Sequence, residues 1–154
     1  FIALRAYSLA YDGTSLRLLT SPIGVQMVQQ SISYTAMTNN STSQSINVGA
    51  ALPARAKVIG ANLNITTPFT SGSVTSMTLS LGRSGLLTEL MVPQNAIGSA
   101  ITQNDSGGFF SSTLSSVQVL CTFVSLAGGN LSTAGVTNLT AGVVVVSIFY
   151  VVMP

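Results

Sequence analysis

The 154-residue chain has no histidine, no tryptophan and one cysteine, and only 5% of its residues carry a charge. Without histidine, the Ser-His-Asp and Cys-His catalytic arrangements and histidine metal sites are excluded. A single thiol, Cys121, forbids both an internal disulfide and a thiolate zinc centre. The acids number three (Asp12, Glu89 and Asp105), and Asp12 and Asp105 sit in turn-like sequence. A two-carboxylate hydrolase would need two of them to converge. Glu89 stands outside any obvious turn, where a surface or ion-pair role is the default. A Ser–Lys pair through Lys57 is the one enzymatic route left. However, Arg55 and Lys57 lie two apart at the start of a strand, which suits a solvated edge or an interfacial ion pair. No phosphate loop or dinucleotide fingerprint is present, since Gly128-Gly129 has no lysine after it. The expectation is a protein that is not an enzyme, with no catalytic residue, no cofactor and no metal.

Scarce charge also restricts partners. Soluble monomers usually carry about 25–35% charged surface residues, which keep molecules apart. A chain with so few should associate. Its formal net charge of +2 makes no basic footprint for nucleic acid. The longest apolar run, residues 143–152, is half of what a membrane-spanning helix needs and is rich in strand formers. The N-terminus shows no basic segment followed by a long apolar stretch, so no signal peptide is visible. The expected partners are other proteins, not membranes or nucleic acid.

What the chain does contain is apolar residues (47%), about a quarter Ser and Thr, and period-2 alternation almost throughout. One domain with an ordinary core is expected at this length. Residues 2–10 and 15–20 read as a hairpin around Tyr11-Asp12-Gly13-Thr14. Val25 to Ala36 reads as one extended segment, and 45–49 as a short strand. Residues 56–67 form the clearest strand, ended by Pro68, with Ile59, Ala61, Leu63 and Ile65 on one face. Met77, Leu79 and Leu81 repeat the pattern. Residues 85–92 allow one helical turn or a short strand. Residues 103–108 read as a turn-rich loop, 109–114 and 117–124 as strands, and the stretch around Gly128-Gly129-Asn130 as a long polar loop. Seven to nine short strands of this kind predict an all-β fold, an antiparallel β-sandwich or jelly roll. Residues 1–24 form an N-terminal hairpin or arm and 25–154 the sandwich.

The final strand breaks the pattern. Val143, Val145, Phe149 and Val151 fall on one face and Val144, Val146, Ile148, Tyr150 and Val152 on the other, so both faces call for cover. The strand is therefore either central in a sandwich or in contact with a neighbouring subunit. Tyr150 and Val152 are expected at an intersheet or intersubunit contact. Cys121 alternates with Val117, Val119 and Phe123 and reads as a small buried hydrophobe. Phe109-Phe110 is the best candidate for an exposed aromatic contact, with core packing the competing reading. Six of the nine asparagines begin an Asn-x-Ser/Thr sequon, which alternating polar positions produce without any need for glycosylation.

Two stretches resemble virion structural proteins of tailed bacteriophages. Residues 52–61 (LPARAKVIGA) with 65–69 (ITTPF), 78–82 (TLSLG) and the closing 139–143 (LTAGV) with Ile148 and Tyr150 are similar to a strand pattern of small phage structural proteins. Residues 10–20 (AYDGTSLRLLT) are similar to a hairpin of head and tail appendage proteins. The chain departs at Leu16, where that hairpin usually carries an aromatic, and at Arg83-Ser84-Gly85, where an acidic turn is usual. The resemblance implies a virion protein, a capsid decoration or cement subunit, and supplies no catalytic residues. Its partners would be further copies of itself, with a trimer as one arrangement, and the major capsid or other virion proteins. A tail or head–tail component is the alternative within that class, and a secreted adhesin or carbohydrate-binding sandwich is the alternative outside it. The candidate contact residues are Arg5, Tyr7, Arg17, Phe109, Phe110, Ile148, Tyr150 and Val152.

Overall fold

Alternation of apolar and polar residues has one structural outcome here, a pair of stacked antiparallel sheets. The computed structural model describes residues 8–11, 16–19, 24–98, 100–105 and 115–153. The described strands are β1 (Ser8–Tyr11), β2 (Leu16–Leu19), β3 (Gln26–Ser33), β4 (Ser43–Asn47), β5 (Ala56–Ser71) and β6 (Ser76–Arg83). They continue with β7 (Leu86–Asn95), β8 (Thr102–Asp105), β9 (Leu120–Ala127), β10 (Ser132–Thr133), β11 (Val136–Thr137) and β12 (Leu139–Val152). No helix among the described residues is long and apolar enough to cross a membrane.

One sheet runs β3-β12-β5-β8 and the other β4-β9-β6-β7. Numbering only these eight strands in chain order, the sheets read 1-8-3-6 and 2-7-4-5. That connectivity is a jelly roll, two Greek keys wrapped around one core. β1 and β2 form a separate antiparallel pair, Ser8 to Leu19 through Tyr11 to Leu16, as the hairpin pattern predicts. β10 and β11 make a third small ladder.

The core is one cluster filled from both sheets. Ala61, Leu63 and Ile65 of β5 and Val144, Val146 and Ile148 of β12 come from one side. Met77, Leu79 and Leu81 of β6, Met91 of β7 and Cys121 and Phe123 of β9 come from the other. At about 1.5–3 kcal/mol for each large side chain buried, this intersheet contact is the main source of stability. Phe69 and Phe123 meet edge to face, with centroids 5.7 Å apart and planes at 62°.

Several expectations are corrected by the pairing. β5 does not end at Pro68 but runs to Ser71. Its register against β12 slips between Val143–Thr67 and Ala141–Thr70, so Pro68 lies in an irregular stretch where the missing N–H is tolerated. Phe69 then bonds outside its own sheet, donating to Ala96 O (3.3 Å) and accepting from Gly98 N (3.0 Å). Ile59 does not share the core face. A second slip, between Phe149–Gly60 and Tyr150–Val58, reverses the parity, so Val58 is buried and Ile59 only half-buried. The extended segment 25–36 ends early, in a 3-10 turn (Tyr34–Ala36) capped by the Ser33 hydroxyl. Residues 103–105 are strand, not loop, held in register with β5 at 61–63. Of the segment 85–92, residues 86–92 are strand and Gly85 belongs to the turn before it. The expected long loop after β9 contains the β10–β11 turn, with Ala134 (φ 51°) and Gly135 (φ 81°) at its centre. Val117 to Val119 join β9 only through bonds to the β4–β5 connection, reciprocally between Val117 and Leu52 and from Val48 N to Val119 O. The expected strand 109–114 lies outside the described residues.

Two substitutions probe this packing. Gly142 (φ 139°) sits where a Cβ would run into the Phe69 ring. Gly142→Ala is expected to cost about 1–3 kcal/mol, seen as a lower urea midpoint with an unchanged slope. Ala134 occupies a left-handed position in a two-residue turn that favours Asn or Gly. Ala134→Gly should therefore gain up to about 1 kcal/mol and raise the thermal midpoint.

Candidate subunit-contact surfaces

The candidate surfaces are those where apolar side chains meet solvent. Among the described residues no group of three or more His, Cys, Asp or Glu could hold a metal ion. Cys121 is fully buried, and desolvation pushes its thiol well above the ordinary range, so it is neutral and inert.

β12 lies between β3 and β5, and its two faces differ. Val144, Val146, Ile148 and Tyr150 are buried against the opposite sheet, and Val152 packs at the rim of that core. Of the two contacts the sequence allows Tyr150, the geometry therefore supplies the intersheet one. Its hydroxyl donates to Gln26 Oε1 at 2.8 Å, which satisfies the polar end. Ile148 and Tyr150 are corrected as subunit contacts, because a core side chain offers no surface to a neighbour. The other face carries Val143, Val145, Phe149 and Val151, all half-buried, with Ser147 buried at their centre and accepting from Gln29 Nε2 at 2.9 Å. Met27 stands opposite Phe149 and is 54% exposed. Arg5, Tyr7, Phe109 and Phe110 lie outside the described residues. Arg17 is placed by its backbone, opposite Ala10 in the β1–β2 pair.

A second apolar surface was not legible as such. Leu86 (51% exposed), Leu87 and Val92 (61% exposed) all lie on β7 at one edge of the second sheet. Six residues of β7, from Leu86 to Met91, span only the three from Leu81 to Arg83 of β6. This bulge presses on Gly82, where a Cβ would strike the Leu86 carbonyl oxygen. Neighbouring leucines thus reach solvent together, which simple alternation does not foresee. The hairpin is pinned by Arg83, whose Nε lies 2.9 Å from Glu89 Oε2 and whose Nη2 donates to Glu89 Oε1 at 3.2 Å. Glu89 is thus the ion-pair residue its setting suggests. Beside this hairpin an open groove of about 540 Å³ is lined by Asn47, Arg83, Ser84, Ser116, Val117, Gln118 and Leu120. Gln118 donates from Nε2 to Val119 O at 3.0 Å and to Gly49 O at 3.3 Å, so its amide serves the fold.

Arg55 and Lys57 are exposed where β5 begins. Arg55 takes φ 62° in a turn closed by Ala56 N donating to Pro53 O (3.2 Å), and its own carbonyl accepts from Met153 N (3.0 Å).

No family model and no curated protein matches the sequence. Solved structures do match the fold. A chain of the cyanophage Pam1 capsid asymmetric unit superposes with a TM-score of 0.62 at 20% identity, covering 84% of this chain and 85% of that one. A chain of the acid-stable capsid of Helicobacter pylori bacteriophage KHP30 gives 0.53 at 15% identity, covering 83% and 87%. The fold is that of phage capsid chains. In both cases one sandwich accounts for most of each partner, so the likeness is between chains of similar size.

Two measurements follow from this geometry. The Cys121 proton is retained on folding, so stability is complete below the ordinary thiol pKa of about 8.5 and falls above it by about 1.4 kcal/mol per pH unit. Denaturant titrations at rising pH should show that slope, and Cys121→Ala should remove it. Arg83→Ala or Glu89→Gln should each cost about 1–3 kcal/mol, because a charge-assisted pair is lost in a partly buried site.

Proposed function

We propose that the chain is a virion structural subunit, a decoration or cement protein on a phage head that joins neighbouring shell subunits by buried contact and performs no chemistry. The observation that carries this reading is the jelly-roll connectivity, matched along most of the length of two phage capsid chains of similar size. The scarcity of charge supports it, since a surface with few charged groups suits permanent cover better than solitude. So does the exposed apolar edge of β7, of the kind found at protein contacts. Its partners are other copies of itself and the major capsid protein.

The mechanism is mechanical. A subunit seated across two shell proteins adds interface to both, so separating them requires breaking the added contacts as well. With little charge to screen, attachment should vary less than about tenfold between low and molar salt.

The test is reconstitution on heads assembled without the chain. Added protein is expected to bind them, to appear on the outer surface by electron microscopy, and to raise the temperature at which they burst. Leu86→Asp combined with Val92→Asp should weaken binding without unfolding the subunit, because both residues are already exposed. Finding the chain only at the neck or tail, or heads equally stable with and without it, would overturn this reading.

A further inference from the structure

A sheet of four strands has two open edges, and this sandwich therefore has four: β3 and β8 in one sheet, β4 and β7 in the other. Soluble proteins protect such edges with short strands, charge, proline or bulges, because a bare edge recruits another strand. Three of the four edges carry such devices. β7 contains Pro93 and Glu89 and is bulged against β6. β8 is four residues long and carries Asp105, and β4 is five residues long.

β3 carries none of them. It is eight residues long (QMVQQSIS), with no charge and no proline, and its pairing with β12 runs from Gln26 to Ser33 without a slip. Among the described residues β12 is its one ladder partner. Gly49 passes nearby: a side chain there would meet the Val28 side chain, which packs on the core, and would stand 3.5 Å from the Gln29 carbonyl oxygen, but no backbone hydrogen bond joins the two segments. Val25 (63% exposed) and Met27 sit at the open end of the strand. No charged residue occurs anywhere from 18 to 54, so nothing in the neighbouring sequence repels an approaching strand either.

We propose that β3 pairs antiparallel with β3 of a second copy, joining two four-stranded sheets into one across a two-fold axis. The occupant is set by charge: an uncharged edge is matched by an uncharged strand of equal length, and a second β3 is one. The faces then limit the register. Residues directly opposite one another share a face, so their numbers must sum to an even value; an odd sum would turn the partner's core outward. A sum of 60 pairs residues 27–33 and sets Val28 beside Ile32 on the core side. A sum of 58 would set Gln26 against Ile32 instead. The first register is therefore assigned, with Gln30 on the axis and Gln29 opposite Ser31 of the second copy. This pairing does not depend on the virion reading and concerns the purified chain.

Cysteine cross-linking tests it, because Cys121 is buried and leaves an engineered thiol as the reactive one. An equal mixture of Gln29→Cys and Ser31→Cys chains should form a disulfide-linked dimer under mild oxidation, while either variant alone should not. Ser31 is exposed, so Ser31→Lys should leave circular dichroism and melting unchanged while halving the native mass that the parent shows. Ser31→Thr should keep that mass. A parent chain that sediments as a monomer overturns the proposal. So does a parent dimer that Ser31→Lys leaves intact, since another surface then carries it. Loss of the dimer with Ser31→Lys but no cross-link in the mixture overturns the symmetric register.

Discussion

Everything in this fold hangs on the inner face of β12. That strand is hydrogen-bonded to β3 on one side and β5 on the other, and its Val144, Val146 and Ile148 fill the space between the sheets. Because β12 follows β3 to β9 in sequence, the core cannot close until all of those strands are in place. Its neighbours lie far away in sequence, with Val144 opposite both Ile32 and Ile65. Pairing of that range is slow to form and exposes strand edges meanwhile. The few charges near these strands offer little protection during that interval.

Much of this was legible in the sequence. Alternation identified β6 and the body of β5, the turn around Asp12 identified the β1–β2 pair, and the doubly apolar run identified β12 as a strand needing cover on two sides. The failures have causes that only the pairing reveals. A slip of one residue leaves no mark in a hydrophobic pattern that is apolar on either side of it. Val58 and Ile59 are equally good core residues, and only the pairing with β12 decides between them. Pro68 reads as a stop because it lacks a donor, but a donor is dispensable where the ladder is already irregular. The polar sequence after β9 reads as loop because its small ladder is held by side chains: Asn138 Nδ2 donates to Asn130 O at 2.8 Å, and the Ser132 hydroxyl donates to Asn39 O.

The candidate surface was harder to read than the fold. Ile148 and Tyr150 looked like contact residues because a strand with two apolar faces has one face more than an isolated sheet can use. In a jelly roll a central strand uses its inner face fully and shields much of the other with flanking side chains such as Gln29. The exposed pair Leu86-Leu87 gives no such warning, since a bulge that turns both outward depends on the partner strand. Composition carries information of another kind. Having few charges is a property of the whole surface and survives any error in register.

Glycine spacing sets where this scaffold can be altered. At Gly128 a side chain would collide with the Ser73 carbonyl, so two connections there touch backbone to backbone. At Gly85 and Gly135 nothing lies within 4 Å of where a side chain would begin. The first point is a weld; the other two are open to solvent, although their φ of 84° and 81° still favours glycine itself. Foreign sequence spliced into the Gly135 turn would leave both sheets and the β3 edge untouched, making that turn the natural place to mount a cargo peptide.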